Sequence, residues 1–344
     1  MILPVCPESI KQAADVIRRG GIAAFPTETV YGLGADAYNA DALVKIFEAK
    51  GRPRFDPLII HIAALETLED VADLSSLKAE TRKKLFLLTE NFWPGPLSIA
   101  LPKSDKIPSI ATAGLDTAAV RLPALNTARD LISLSTGAIA APSANSFGSL
   151  SPTRAEHVFA GLGDKVDIIL DGGPTQVGVE STVIDFTRGI IKILRHGGVP
   201  KEAIESVAGP VIDDGNRVEI NSTDALVSPG RLKSHYAPRT PLFLFEKENI
   251  AAVPFELNAA YIFFDDSSRD AWLKTRGEKQ NAVVRTLSSA GQIAEAAARL
   301  FETLHELDFL NLKKIFAQFA PREGLGAAIN DRLERASFSN ARKN

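Results

Sequence analysis

Between residues 22 and 194 the chain repeats short apolar runs, some separated by helix-length stretches and others by only a turn. The runs at 22–25, 58–62, 97–101, 119–122, 138–141, 168–170, 182–185 and 190–194 have the length of buried strands. Helical spacing of apolar residues marks 7–20, where Ile10, Ala13, Ala14 and Ile17 share a face before a Gly-Gly exit, and also 81–89, 126–133 and 154–159. Asn39 is placed to cap a helix carrying Leu43, Ile46 and Phe47. A parallel pair needs a long crossover, and several of these strands follow one another too closely for one. The fold class is therefore α/β with a large mixed sheet.

From about Gly209 the apolar periodicity fades, and 209–240 reads as a long connection. Beyond it come two strand-like runs, LFLF and AYIFF. A helix with Ile293, Ala297, Leu300, Phe301 and Leu304 on one face follows, then a strand around Ile315 and a last helix from Leu325. The expected organisation is a first domain over 1–208, a connection over 209–240 and a smaller α/β domain over 241–344. With 344 residues, 45% of them hydrophobic, the chain is long enough for two cores.

Composition removes several function classes. A single cysteine, Cys6, excludes an internal disulfide and a cysteine-built zinc site. The start, MILPVCPESIKQ, has no basic residue before Lys11, which argues against a secretory signal, and no apolar stretch approaches the roughly 18 residues of a membrane span. A cytoplasmic protein is expected. The formal net charge of −3 is not the basic balance of a protein that grips nucleic acid along its backbone.

Neither a Gly-Lys-Ser/Thr phosphate loop nor a Gly-x-Gly-x-x-Gly turn is present, so a nucleotide would need another cradle. KGRPRFDPLIIH, 50–61, puts Lys50, Arg52 and Arg54 between a helix and a strand. Loop cations are usually just solvated, yet a triphosphate needs such a cluster at a strand end. His61, at the end of that strand, reads either as a hydrogen-bonded structural histidine or as a ligand contact. APSANSFGSLSPT, 141–153, is a serine-rich turn or a polar cradle for phosphate and ribose. Arg121 lies in an otherwise apolar strand and needs an anion, which a structural carboxylate or a substrate could supply.

These segments, with PTETVYGLG, WPGP, VRLP, GVESTVID, LRHGG and SPGRLKSHYAP, closely resemble the YrdC-like family, in particular its long two-domain threonylcarbamoyl-AMP synthase form. The resemblance runs over nearly the whole chain. It implies a twisted YrdC-like domain, a linker and a Rossmann-like C-terminal domain. It also implies synthesis of L-threonylcarbamoyladenylate from L-threonine, bicarbonate and ATP, with magnesium accompanying the ATP. Separate tRNA threonylcarbamoyl-transfer proteins, met transiently, would move the group to adenosine 37.

Carried over by motif, Thr29, His61, Arg121, Ala141 and Ser181 would line the threonine pocket. Lys50 and Arg52 would be catalytic, and Arg52, Asp56, Thr117, Ser143, Asn145, Ser151 and Arg195 would hold ATP. The family usually has asparagine where this chain has Asp56, and a carboxylate there would repel phosphate unless it binds magnesium or points away. His235 and Tyr236, in SPGRLKSHYAP, fit a lid over the nucleotide or a simple docking of the two domains. An RNA-binding module with a basic concave surface is the alternative from another class.

Overall fold

A computed structural model of the chain describes residues 1–187, 189–213, 235–276 and 282–338, and every structural statement concerns those residues. They form two compact units. The larger comprises 1–147, 151–176 and 180–213; the smaller comprises 148–150, 177–179 and the described residues from 235 onward. Of the expected connection, 214–234, with Arg231 and Leu232, lie outside the described residues.

The larger unit is built on β1 (Ile2–Pro4), β2 (Ala23–Phe25), β3 (Gly32–Asp36), β4 (Ile59–Ile62), β5 (Leu97–Pro102), β6 (Thr117–Arg121), β7 (Ala138–Ala140), β8 (Ile168–Asp171), β9 (Thr182–Asp185), β10 (Ile191–Arg195) and β11 (Val211–Asp213). They join in one sheet of order β1-β8-β2-β3-β7-β4-β6-β5-β9-β10-β11. Parallel pairs such as β4/β6 and β5/β9 alternate with antiparallel ones such as β5/β6 and β9/β10, so the sheet is mixed as expected. Around it lie α1 (Pro7–Arg18), α2 (Ala40–Lys50), the single turn α3 (Leu68–Val71), α4 (Ala79–Phe92), α5 (Asn126–Leu134), α6 (Ala155–Leu162) and α7 (Lys201–Ala208). The Asn39 side chain accepts from the amides of Asp41 and Ala42 and fixes the start of α2, while α1 buries Ile10, Ala13, Ala14 and Ile17.

Three strands of this unit, β1, β3 and β11, and the short helices α3 and α7 have no counterpart among the expected elements. The segment PTETVYGLGAD contains β3, whose glycines hide the apolar alternation. A Cβ at Gly34 would stand 2.6 Å from Ile139 and 2.7 Å from Phe25, so glycine is what lets β3 cross its neighbours. The edge strand β1 is too short for a periodicity. Strand β11 presents one buried and two exposed residues.

The smaller unit holds β12 (Leu242–Phe245), β13 (Ala259–Phe263), β14 (Val283–Thr286) and β15 (Lys314–Gln318), all parallel, in the order β12-β15-β13-β14. With α8 (Asp266–Arg276), α9 (Ile293–Phe309) and α10 (Gly326–Ser337) this is the expected Rossmann-like arrangement. The polar α8 and the half-buried β14 lacked the apolar patterns that mark the rest. No helix among the described residues is long and apolar enough to cross a membrane.

Candidate active site

Strand register gathers the polar residues of the larger unit into one row. His61 on β4 pairs with Arg121 on β6, and Ser98 on β5 pairs with Val183 on β9, which in turn pairs with Arg195 on β10. Opposed residues on neighbouring strands point to the same face of a sheet, so His61, Arg121 and Arg195 share one side. The β9/β10 register shifts between Ile193 and Arg195, a bulge of the kind that re-aims a side chain beside a site.

At the His61 end, Arg121 is held from three directions. Its Nε donates to the carbonyl of Gly95 at 3.2 Å, one Nη donates to Thr29 Oγ1 at 3.0 Å, and the other lies 2.6 Å from the Glu28 carboxylate. The structural carboxylate therefore exists, and it is Glu28. Burial, the largest influence, pushes the Glu28 carboxyl up, but Arg121 and the backbone amides of Glu28 and Ala124 together hold the group below the usual range. Thr27 Oγ1 bonds Thr29 Oγ1 at 2.8 Å and Val30 O at 2.7 Å, shaping the loop that presents both residues. Ala141, buried, donates its amide to Ile59 O at 2.9 Å and so lies against the base of β4.

The second cluster corrects the expectation of solvated loop cations. Only Arg54 is exposed, whereas Lys50 and Arg52 are buried. Lys50 Nζ donates to the carbonyls of Ser143 and Asn145 and tethers the serine-rich loop; burial, with Arg52 beside it, pushes the ammonium well below the lysine range. Arg52 donates to the carbonyls of Asp56 and Pro57 at 3.0 and 2.8 Å and pairs with the Asp56 carboxylate at 2.8 Å. Asp56 has no solvent exposure. It points into the protein, and burial raises its carboxyl in spite of the pull of Arg52, Lys50 and Arg195.

Arg195 donates to Ser181 O and Ser181 Oγ at 2.9 and 3.1 Å, and Ser181 Oγ also meets Ser98 Oγ at 2.8 Å. Ser151 Oγ donates to the Glu180 carboxylate. Gly197 passes so close to this segment that a Cβ there would stand 2.3 Å from Glu180 O, which explains the glycine of LRHGG. Thr117 begins the strand that Arg121 ends, so it is separated from Arg121 by the length of β6.

The family model described as "Telomere recombination", covering Sua5, YciO and YrdC, matches residues 15–197, and that of the "Threonylcarbamoyl-AMP synthase, C-terminal domain" matches 199–337. The threonylcarbamoyl-AMP synthase of Pyrococcus abyssi is 43% identical over 95% of this chain and 94% of its own length. That of Bacillus subtilis is 41% identical over 95% and 92%. The crystal structure of P. abyssi Sua5 complexed with L-threonine is similar at a TM-score of 0.84 and 39% identity, over 98% of this chain and 97% of that one. The chain belongs to the threonylcarbamoyl-AMP synthase family.

Within this synthase family member, Glu28, Ser98 and Glu180 are the site residues that sequence reasoning passed over. Glu28 and Glu180 stood inside quoted motifs, and a buried carboxylate is the natural partner of a buried arginine. Ser98 had no local signal, because only strand pairing places it beside Ser181. His235 and Tyr236 belong to the smaller unit. There Tyr236 is buried, its ring 5.6 Å from Phe301 and 5.0 Å from the Arg332 guanidinium, and His235 stands edge-on to it at 4.1 Å.

Burial, with Arg121 beside it, pushes His61 down to about 3, so the ring is neutral at neutral pH. An unfolded chain takes up this proton near 6.5, so between those values the unfolded state binds more protons. Stability from this group is full above about 6.5 and is lost as pH falls toward 3. Urea unfolding across that window should show the decline, and His61→Gln should flatten it. An unchanged slope in the variant would place the proton uptake elsewhere.

Proposed function

We infer that the chain synthesises L-threonylcarbamoyladenylate from L-threonine, bicarbonate and ATP, releasing pyrophosphate. This is the first step of threonylcarbamoyladenosine formation at position 37 of tRNAs that read codons beginning with A. The observation that carries the reading is the single sheet face that Arg121 and Arg195 share, with Lys50 and Arg52 in the same unit. A reaction that holds a carboxylate, a carbamate and a triphosphate together needs preplaced cations.

In this reading Arg121 takes the threonine carboxylate, with Thr29, His61, Ala141 and Ser181 around the side chain. Lys50 and Arg52 act on the phosphates, and Asp56, Thr117, Ser143, Asn145, Ser151 and Arg195 complete the nucleotide site. Among the described residues no cluster of three or more His, Cys, Asp or Glu could hold a metal alone. Magnesium would therefore arrive on the nucleotide, bound chiefly by phosphate oxygens, since Asp56 is turned inward to Arg52 and Glu180 accepts from Ser151. The metal would supply charge neutralisation at the phosphates. The enzyme works in the cytoplasm and hands its product to tRNA threonylcarbamoyl-transfer proteins. An RNA-binding role is disfavoured by the net charge of −3.

Purified protein should release pyrophosphate only when L-threonine and bicarbonate are both present, with the adenylate identified by mass spectrometry. Release undiminished by omitting either would overturn the reading. Arg121→Ala should weaken threonine binding far more than ATP binding in calorimetry, and the reverse pattern would move Arg121 to the nucleotide. Arg52→Ala should lower turnover by roughly 100-fold or more. Because it strands a buried carboxylate, it should also cost about 3–5 kcal/mol of stability, visible as a lower melting temperature.

His235 and Tyr236 are proposed as a lid over ATP and the adenylate, anchored in the smaller unit. Their double alanine variant should lower turnover and, because it empties the buried place of Tyr236 against Phe301 and Arg332, should also lower the melting temperature. Full activity in that variant would leave only the docking role.

A further inference from the structure

The activity so far gives no task to Glu28. Its carboxylate is buried at 2.6 Å from the Arg121 guanidinium, with both side chains nearly sealed from solvent at 6% and 4% exposure. The close contact with Arg121 is joined by the backbone amides of Glu28 and Ala124. Arg121 is otherwise fixed by Gly95 O and Thr29 Oγ1, and does not depend on Glu28 alone for its orientation.

L-threonine reaches this enzyme as a zwitterion, and its ammonium cannot attack bicarbonate until it loses a proton. The amino nitrogen of an α-amino acid is one carbon away from its carboxylate. An amino acid seated on Arg121 therefore brings its amine to the guanidinium edge that Glu28 occupies. We propose that Glu28 is the base of carbamate formation: the threonine carboxylate takes Arg121 from Glu28, and Glu28 accepts the proton leaving the neighbouring amino group. The inference rests on Arg121 being the carboxylate partner.

The step balances. The ammonium gives one proton to the Glu28 carboxylate, and the amine lone pair forms the N–C bond to bicarbonate carbon. The C–OH bond breaks, and its hydroxide takes the second ammonium proton and leaves as water. Products are the N-carboxylated amino acid, one water and protonated Glu28. The carbamate oxygen then attacks the α-phosphate and pyrophosphate leaves with the P–O bond electrons.

The pairing also times the base. Burial is the largest influence on Glu28 and raises its proton affinity, while Arg121 is the charged group that holds it down. The backbone amides of Glu28 and Ala124 add to that hold, and His61, across β4/β6, is neutral. When a substrate carboxylate shares Arg121 the hold weakens and burial remains. Glu28 becomes a better base when the amine arrives.

The test separates the two half-reactions in Glu28→Gln. Pyrophosphate release from ATP, L-threonine and bicarbonate should fall on the order of 100-fold or more. Conversion of threonylcarbamoyl-adenylate and pyrophosphate to ATP moves no amine proton and should stay within a few-fold of wild type. Raising the pH toward the ammonium's own pKa should narrow the forward deficit. Glu28→Asp, which keeps an acid at shorter reach, gives the same comparison if the glutamine variant is unstable, with forward loss again exceeding reverse loss. Equal losses in both directions, or an unaltered forward rate, would overturn the proposal. The wild-type rate in the same series tests the activity itself, whereas the forward-to-reverse ratio of the variants tests Glu28.

Discussion

Four cations buried in one unit are the constraint around which this site is organised. A buried charge is costly unless it is paired and hydrogen-bonded, so Lys50, Arg52, Arg121 and Arg195 each had to find acceptors. Each grips main-chain carbonyls of a different segment. Lys50 takes Ser143 and Asn145, Arg52 takes Asp56 and Pro57, Arg121 takes Gly95, and Arg195 takes Ser181. The loops that carry the polar residues are thus moulded on the cations. That explains why loops rich in serine, proline and glycine can hold fixed geometry without a helix or strand of their own.

The same bonds prepare the site electrostatically. Charges already oriented by carbonyls need little reorganisation when a substrate anion arrives, which is how a fixed polar environment stabilises developing charge. The carboxylates Glu28, Asp56 and Glu180 offset part of the positive charge. Asp56 turns its side chain inward to Arg52.

Much of this was legible in the sequence, and the gaps have physical causes. Strands with uninterrupted apolar runs, such as Ala138–Ala140, and helices with a clear apolar face, such as Ile293–Phe309, were read closely. What failed was reading where glycine replaces the apolar signal, as at Gly34, or where the element is polar on most sides, as in Asp266–Arg276. At the site, the cations were visible because they stand in motifs. The burial of Lys50 and Arg52 was not, because it depends on which carbonyls the folded loops bring to them. Ser98 is the clearest case, since it meets Ser181 only through the β5/β9 pairing across 83 residues of sequence.

The hydroxyls around the cations bear on mechanism. Ser151 donates to Glu180, Ser181 is engaged with Ser98 and Arg195, and Thr27 and Thr29 bond one another. The histidine of the row, His61, meets the carbonyl of Ile59 at 3.2 Å rather than any of these hydroxyls. Ser151 has the Glu180 carboxylate within reach, but the reaction calls for no nucleophile from the protein. The substrate supplies its own, the carbamate oxygen, and the protein supplies orientation and charge. Rate then depends on how firmly the carbonyl-held cations keep the reacting atoms aligned, so residues that only shape those loops, such as Gly197 beside Glu180 and Ser181, weigh on turnover through position alone.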